Sequence, residues 1–178
     1  MKPSISFWQM AGFIVAAVLG TLLHFLFDWT GGSVFAALFS AVNESIWEHM
    51  KLLYYPMLLF ALIEYRAWGK KMSSFWRVKL VGMLAGLTLI PVLYYTYTGA
   101  LGVEADWFNI AIFFLTAGYV YWLESRLFRR EKAVVLPNAA ALGLLALIGL
   151  LFVVFTFLPP ELPLFQDPVT GSYGFQLG

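Results

Sequence analysis

Hydrophobic and polar residues follow one another along the chain in long blocks, and this pattern predicts a bundle of membrane-spanning helices. The apolar blocks are roughly 20 residues long, which is the length a helix needs to cross a ~30 Å hydrocarbon layer. Five blocks are predicted to be spanning helices, at about residues 7–28, 45–67, 75–98, 106–128 and 134–158. The predicted fold is therefore an all-α, polytopic transmembrane helix bundle over residues 1–158, followed by a C-terminal tail at 159–178.

One short apolar stretch interrupts this series between the first two long helices. Thr30, Gly31 and Gly32 predict a turn, and the apolar residues 33–42 come directly after it. Ten residues are too few to span a bilayer as a helix. We expect this insert to be a re-entrant or interfacial helix.

Composition supports the membrane class. Only 12% of the 178 residues are charged, 61% are hydrophobic, and the mean hydropathy is +0.80. Soluble domains average about 25% charged residues, so this chain lacks the charge to cover a water-facing surface. The net charge of +1 provides no field that would attract nucleic acid. The absence of cysteine excludes disulfides, thiolate metal sites and cysteine nucleophiles.

The basic residues predict the orientation of the bundle. Ten of the eleven lie at the N-terminus or in the connections after the second and fourth spanning helices, and Lys51 is the exception. By the positive-inside rule, these segments face the cytoplasm. The chain is therefore predicted to be a cell-membrane protein with a cytoplasmic N-terminus and an extracytoplasmic C-terminus.

Both histidines fall near the predicted outer ends of the first two helices. Asp28 follows His24 by four residues, so their side chains share one helix face. His49 and Glu44 belong to the polar segment 43–51, which begins with Asn43. If the short insert returns the second helix against the first, these groups converge in one pocket.

Such a pocket would suit a divalent metal such as zinc. The predicted ligands are His24, Asp28, Glu44 and His49, because two imidazoles and a carboxylate with an open coordination position are typical of catalytic zinc. A remaining carboxylate, Glu44 or Glu48, could act as general base on a metal-bound water. Ser45 is a candidate nucleophile.

Structural interpretations of the same residues remain open. His24 and Asp28 could form an interfacial hydrogen bond that ties the helix end. Ser45-x-x-Glu48 matches a capping box, in which each side chain bonds to the other's backbone N–H. Further inward, Glu64 and Glu124 are expected to snorkel or to pair with Arg66 and Arg126 on neighbouring helices, and we assign neither glutamate a functional role.

The tail also allows two interpretations. Its turn dipeptides, Asp167-Pro168 and Thr170-Gly171, are compatible with a disordered terminus. The segment 165–174 also contains two aromatic residues, Phe165 and Tyr173, so it could form a lid over the outer pocket. In that case Asp167 would supply a further carboxylate.

The polar segments together resemble a family of small bacterial multi-pass membrane proteins of unknown function. The likeness covers most of the chain and rests on His24, Asp28 and Trp29; on Ser40, Asn43, Glu44, Ser45, Trp47, Glu48, His49 and Lys51; and on Asp167, Pro168, Gly171, Tyr173 and Gly174. This resemblance implies no activity.

A weaker similarity links the chain to the membrane hydrolases that include alkaline ceramidases and adiponectin-type receptors, which hold zinc through histidines. The present chain has five predicted helices rather than seven, and it lacks their His-x-x-x-His motif.

Three functions follow as hypotheses. The first is a metal-dependent membrane hydrolase or transferase that acts on a lipid or lipid-linked substrate at the outer leaflet. The second is a small ion- or proton-coupled carrier whose broken helix forms the ion site. The third is a non-catalytic accessory subunit of a membrane complex. Membrane lipids are the expected partners in each case, and nucleic acid is not.

Overall fold

The computed structural model describes residues 4–130 and 136–176, and this part of the chain folds as an all-helical bundle. The predicted long helices are confirmed, with a short helix between the first two. The α-helices are α1 (Ile5–Trp29), α2 (Val34–Ala37), α3 (Ile46–Ala67), α4 (Phe75–Leu101), α5 (Asp106–Phe128) and α6 (Asn138–Phe157). The predicted start of the last helix, near Val134, lies outside the described residues, as do Lys2 and Lys132.

Helix ends fall where local chemistry directs them. Ser45 caps α3 by accepting a hydrogen bond from the Glu48 backbone N–H. The predicted turn after α1 is confirmed, because Gly31 and Gly32 adopt φ angles of 64° and 78°. Residues with a Cβ rarely adopt such values. This turn reverses the chain and allows α3 to pack back along α1.

Four of the long helices form a closed ring. Helix α1 packs on α3 and α5, and α4 packs on both α3 and α5, so each of the four contacts two neighbours. Helix α6 lies outside this ring, against α3 and α4. The ring interior is therefore lined by α1, α3, α4 and α5. We call its two ends the histidine end, which contains His24 and His49, and the lysine end, which contains Lys79.

The outer surface of the bundle is apolar, as a membrane protein requires. Along α1, the exposed side chains of Phe7, Met10, Ile14 and Val18 recur every three or four residues and form one outward stripe. Among the described residues, α1, α4 and α6 are long and apolar enough to cross a membrane. We conclude that the chain is a membrane protein.

One buried ion pair joins the ring to α6 near the histidine end. Lys51 and Glu48 are 0% and 1% exposed, and Lys51 Nζ lies 2.6 Å from Glu48 Oε2. Lys51 also donates to the Ala37 carbonyl of α2 at 2.9 Å and to Thr156 Oγ1 of α6 at 2.8 Å. Thr156 donates in turn to Glu48 Oε1 at 2.8 Å. This network ties three helices together and explains why Lys51 departs from the distribution of the other basic residues.

A second buried ion network occupies the lysine end. Lys79 of α4 lies between Glu64 of α3 and Glu124 of α5, and all three are at most 1% exposed. The predicted pairing of the two glutamates with Arg66 and Arg126 is therefore wrong. The reason is helix rotation: Lys79 lies on the inward face of α4, where it reaches both carboxylates.

Candidate metal centre

Three of the four predicted metal ligands lie together at the histidine end. His24, Glu44 and His49 each offer one ligand atom, and these atoms all lie within 4.8 Å of one another. The two imidazole centroids are 5.3 Å apart, and His49 Nε2 is 3.4 Å from Glu44 Oε2. The structure thus brings both histidines and one carboxylate into a single cluster.

Secondary structure positions each member of the cluster. His24 lies near the end of α1, slightly more than one turn before Trp29, whereas His49 lies in the first turn of α3. Glu44 precedes the Ser45 cap of α3 and is half exposed. Because the glycine turn returns α3 against α1, residues that are 25 positions apart in sequence, such as His24 and His49, become neighbours.

The His49 side chain is oriented as a metal ligand usually is. His49 Nδ1 lies 3.0 Å from the Ser45 carbonyl oxygen and must donate to it, because that oxygen can only accept. This hydrogen bond fixes the ring and leaves Nε2 facing Glu44, which is the typical arrangement for a ligating histidine. His24 Nδ1 is buried and has no hydrogen-bond partner among the described residues.

The cluster is wider than the ligand shell of a bound metal. Zinc bonds to nitrogen and oxygen are about 2.0–2.2 Å long, so two ligand atoms on a tetrahedral ion lie about 3.5 Å apart. Atoms at the observed limit of 4.8 Å would have to approach by roughly 1 Å, through side-chain rotation, to share one ion. Two nitrogens and one oxygen also form a donor set that suits zinc.

A cavity of about 740 Å³ lies inside the ring next to this cluster. Its walls are mainly apolar, with contributions from all four ring helices. Polar groups lie on both sides: His24, Glu44 and His49 on one, and Tyr94, Glu104, Asp106 and Asn109 on the other. The volume falls within the usual range for sites that bind small molecules.

The C-terminal tail covers this end of the bundle. Pro168 and Val169 contribute to the cavity wall. Two hydrogen bonds attach the tail: the Phe175 N–H donates to the Thr156 carbonyl at 2.7 Å, and Asn43 Nδ2 donates to the Gly174 carbonyl at 3.1 Å. The described part of the tail is therefore packed against the bundle, in the lid arrangement.

Two tail residues that the sequence singled out have local partners. The Asp167 carboxylate is 5% exposed and accepts hydrogen bonds from the Val169 N–H and from Thr170 Oγ1, both at 2.8 Å. Asp167 therefore organises its own turn rather than facing the cluster. Tyr173 pairs with Gln166 through an isolated antiparallel bridge.

The remaining predicted site residues lie beside the cluster. Asp28 is exposed and is not part of the three-ligand group. Glu48 is occupied by the Lys51 network. The predicted capping box is half correct: Ser45 Oγ accepts from the Glu48 N–H, but Asn43 Oδ1, not Glu48, accepts from the Ser45 N–H at 2.9 Å. The Glu48 carboxylate accepts instead from the Val42 N–H.

Comparison with known proteins places the chain in a family. A family model described as "Family of unknown function (DUF6512)" matches residues 1–175. The chain belongs to this family. The expected membership of a family without assigned function is thereby confirmed. No curated protein and no solved structure matches the chain.

The candidate site predicted from the sequence omits three polar residues of the far wall of the cavity. Glu104, Asp106 and Asn109 belong to the connection between α4 and α5 and to the start of α5, and all three line the cavity. Asn109 Nδ2 donates to Glu104 Oε1 at 3.2 Å, and Tyr97 donates to Asn109 Oδ1 at 2.5 Å. The signal available in the sequence was that acidic residues gather at this end of the bundle.

Proposed function

We propose that the protein is a metal-dependent membrane enzyme, a hydrolase or transferase, which acts on a lipid or lipid-linked substrate at the outer leaflet. The observation that supports this proposal best is the cluster of His24, Glu44 and His49 beside a largely apolar cavity. An isolated cluster of this kind could be a surface feature. Its position at the wall of a cavity that a substrate can enter favours a catalytic role.

The residues around the cavity divide the chemical roles between them. A divalent metal held by three protein ligands has an open coordination position, at which it can activate water or polarise a carbonyl or phosphoryl oxygen. His24, Glu44 and His49 are the proposed ligands. Glu104 and Asp106 on the opposite wall are the carboxylates proposed to accept a proton from the attacking nucleophile.

The walls of the cavity favour an amphipathic substrate. Phe25 of α1 and Ile110 and Phe114 of α5 line the cavity, yet 43%, 58% and 39% of their surfaces are exposed. The cavity therefore reaches the apolar outer surface of the bundle between these two helices. A lipid chain could enter by this route, with its polar group directed towards the histidines.

We also propose that five helices cross the membrane, with the N-terminus in the cytoplasm and the C-terminus outside. Helices α3 and α5 have 22 and 23 residues, which corresponds to about 33–35 Å at 1.5 Å per residue. Both are long enough to span. Their buried charges lower their hydropathy, but those charges face neighbouring helices rather than lipid, as polar residues of membrane helices usually do.

Metal analysis of the purified protein tests the proposed site. We expect about one zinc or other divalent metal ion per chain in the wild type and a loss of at least tenfold in affinity for His24→Ala and His49→Ala. Glu161→Gln, which alters an exposed carboxylate of the tail, is the matched control and should retain the metal. Wild-type protein that takes up no divalent metal during zinc titration would exclude this function.

Activity can be sought with the metal-loaded protein in lipid vesicles. Phospholipids, ceramides and isoprenoid phosphates would be incubated separately, and mass spectrometry would detect cleavage or group transfer. We expect turnover of at least one class, abolished by His49→Ala and reduced in Glu104→Gln or Asp106→Asn. Metal binding without turnover of any class would favour a structural metal site instead.

A further inference from the structure

The buried network at the lysine end carries more acidic than basic groups. Lys79 Nζ contacts Glu64 Oε2 and lies 2.5 Å from Glu124 Oε2, so one ammonium serves two carboxyl groups. With both carboxyl groups ionised, the network would carry a charge of −1. None of the three side chains is more than 1% exposed, so water cannot solvate this excess charge.

Among the residues that the structure describes, Lys79 is the only cation that forms an ion pair with these two carboxyl groups. The rings of Phe75, Tyr121 and Phe128 surround Lys79 Nζ, with centroids 5.8, 5.4 and 5.6 Å away. Gln9 of α1 completes the site and donates from Nε2 to Glu64 Oε1 at 3.0 Å. The groups that face the network from the four ring helices are therefore Gln9, Glu64, Lys79, Tyr121 and Glu124.

Apart from Glu64 Oε2, which contacts the Lys79 ammonium, three buried polar atoms at this site lack a hydrogen-bond partner within the described parts of the chain. They are Gln9 Oε1, the Tyr121 hydroxyl and Glu124 Oε1. Gln9 and Tyr121 are only 4% and 3% exposed. Buried polar groups are normally satisfied, so unsatisfied atoms concentrated beside an unbalanced charge indicate a missing ligand.

The two carboxyl groups are not equivalent. Each contacts Lys79 through one oxygen, but only Glu64 also receives a hydrogen bond, from Gln9, at its second oxygen. Donors of this kind stabilise the ionised form of a carboxyl group. Glu124 Oε1 has no such donor, so Glu124 is the group at which added positive charge would be most stabilising.

The space around Glu124 Oε1 limits what that ligand can be. A Cβ built on Gly82 would lie only 2.6 Å from this oxygen, so the backbone of α4 closes one side. The Lys79 ammonium occupies the position between the two carboxyl groups. The compact arrangement favours a hydrogen ion over a metal ion with its several ligands.

We propose that the Glu64–Lys79–Glu124 network is a proton-binding site, which holds one proton on Glu124 at neutral pH. The bound proton converts the network from a charge of −1 to neutral. Tyr121, whose hydroxyl has no partner within the described residues, precedes Glu124 by three residues and shares its face of α5. This site lies at the lysine end of the ring, so it is independent of the metal centre at the histidine end. Buried carboxyl groups that exchange a proton mark proton pathways in membrane proteins. The site is therefore the observation most favourable to a proton-coupled role.

Infrared spectroscopy of the purified full-length protein tests the assignment. A protonated carboxylic acid has a carbonyl-stretching band that a carboxylate lacks, and this band shifts when D₂O replaces H₂O. At neutral pH we expect a band equivalent to one protonated carboxyl group per chain. Glu124→Gln should abolish it, whereas the exposed control Glu161→Gln should leave it unchanged.

Lys79→Met provides a second measurement that does not depend on Glu124→Gln folding. Without the ammonium, both buried carboxyl groups should be protonated, so the band should double. The absence of a band in the wild type at neutral pH would overturn the proposal. A band that persists in Glu124→Gln, or that fails to increase in Lys79→Met, would do the same.

Discussion

Lys51 and Lys79 are both buried inside the bundle, yet the first faces one carboxylate and the second faces two. Around Lys51, charges balance, and the ammonium also donates to the Ala37 carbonyl and to Thr156. Around Lys79, one of the two carboxyl groups has no cation of its own, and Gln9, Tyr121 and Glu124 have unpartnered polar atoms within the described chain. The side chains are equally buried in the two regions, but only the region around Lys51 has one carboxylate for each ammonium group.

This contrast separates two uses of a buried charge. A balanced network with all its donors matched can join helices and needs nothing further. An unbalanced network must take up an ion or lose stability, because desolvated charges without partners are costly. We therefore expect the first network to behave as a structural link and the second as a binding site, and three substitutions examine this difference.

The largest effect should come from Glu48→Gln in the balanced network. The substitution leaves the buried Lys51 ammonium without its counterion, and breaking a buried pair in this way costs about 3–5 kcal/mol. Thermal or denaturant unfolding in detergent, followed by circular dichroism, would measure the loss against Glu161→Gln. A loss below about 1 kcal/mol, the range of exposed pairs, would contradict a structural role.

An intermediate effect is expected from Gly82→Ala in the unbalanced network. The new methyl group would lie 2.6 Å from Glu124 Oε1, and overpacking of this kind costs about 1–3 kcal/mol. Gly143→Ala is the matched control in α6, because its Cβ has open space within 4 Å. Because Gly143 lies inside a helix, its replacement by alanine should raise the free energy of unfolding by about 0.5–1 kcal/mol. Equal responses in unfolding experiments would argue against close packing of Glu124.

The smallest effect should come from Glu124→Gln. An amide is neutral and similar in shape to a protonated carboxyl group, so the substitution should change stability by less than about 1 kcal/mol. Glu48→Gln and Glu124→Gln replace the same residue type at two fully buried positions. The difference between their free energies of unfolding at neutral pH therefore compares the two networks directly. A loss as large as that of Glu48→Gln would mean that Glu124, rather than Glu64, is the counterion that Lys79 requires, and would contradict the placement of the proton on Glu124.

The sequence was sufficient for the helices because helix boundaries depend on local signals. The predicted helix at 106–128 coincides with α5, and the Ser45 cap fixes the start of α3. The convergence of His24 and His49 was also accessible, since the turn at Gly31 and Gly32 leaves little freedom for the path between α1 and α3.

The partners of Glu64 and Glu124 were harder to predict because they depend on how each helix rotates about its axis. Lys79 is one of the basic residues from which the positive-inside rule predicts the cytoplasmic side. It also follows Phe75 by four residues and precedes Gly82 by three, so the inward stripe of α4 includes it. That spacing was visible in the sequence, but it competes with the more common role of lysine at a membrane surface.

The burial of Lys51 and Lys79 also provides a test of sample integrity that needs no knowledge of activity. Acylating reagents modify amines that solvent can reach, and these two ammonium groups are 0% and 1% exposed. In intact protein, mass spectrometry should find both unmodified while Lys70 and Lys71 react. For any detergent or storage condition, acylation of Lys51 would then show that the histidine end of the bundle has opened, and acylation of Lys79 would show the same for the lysine end.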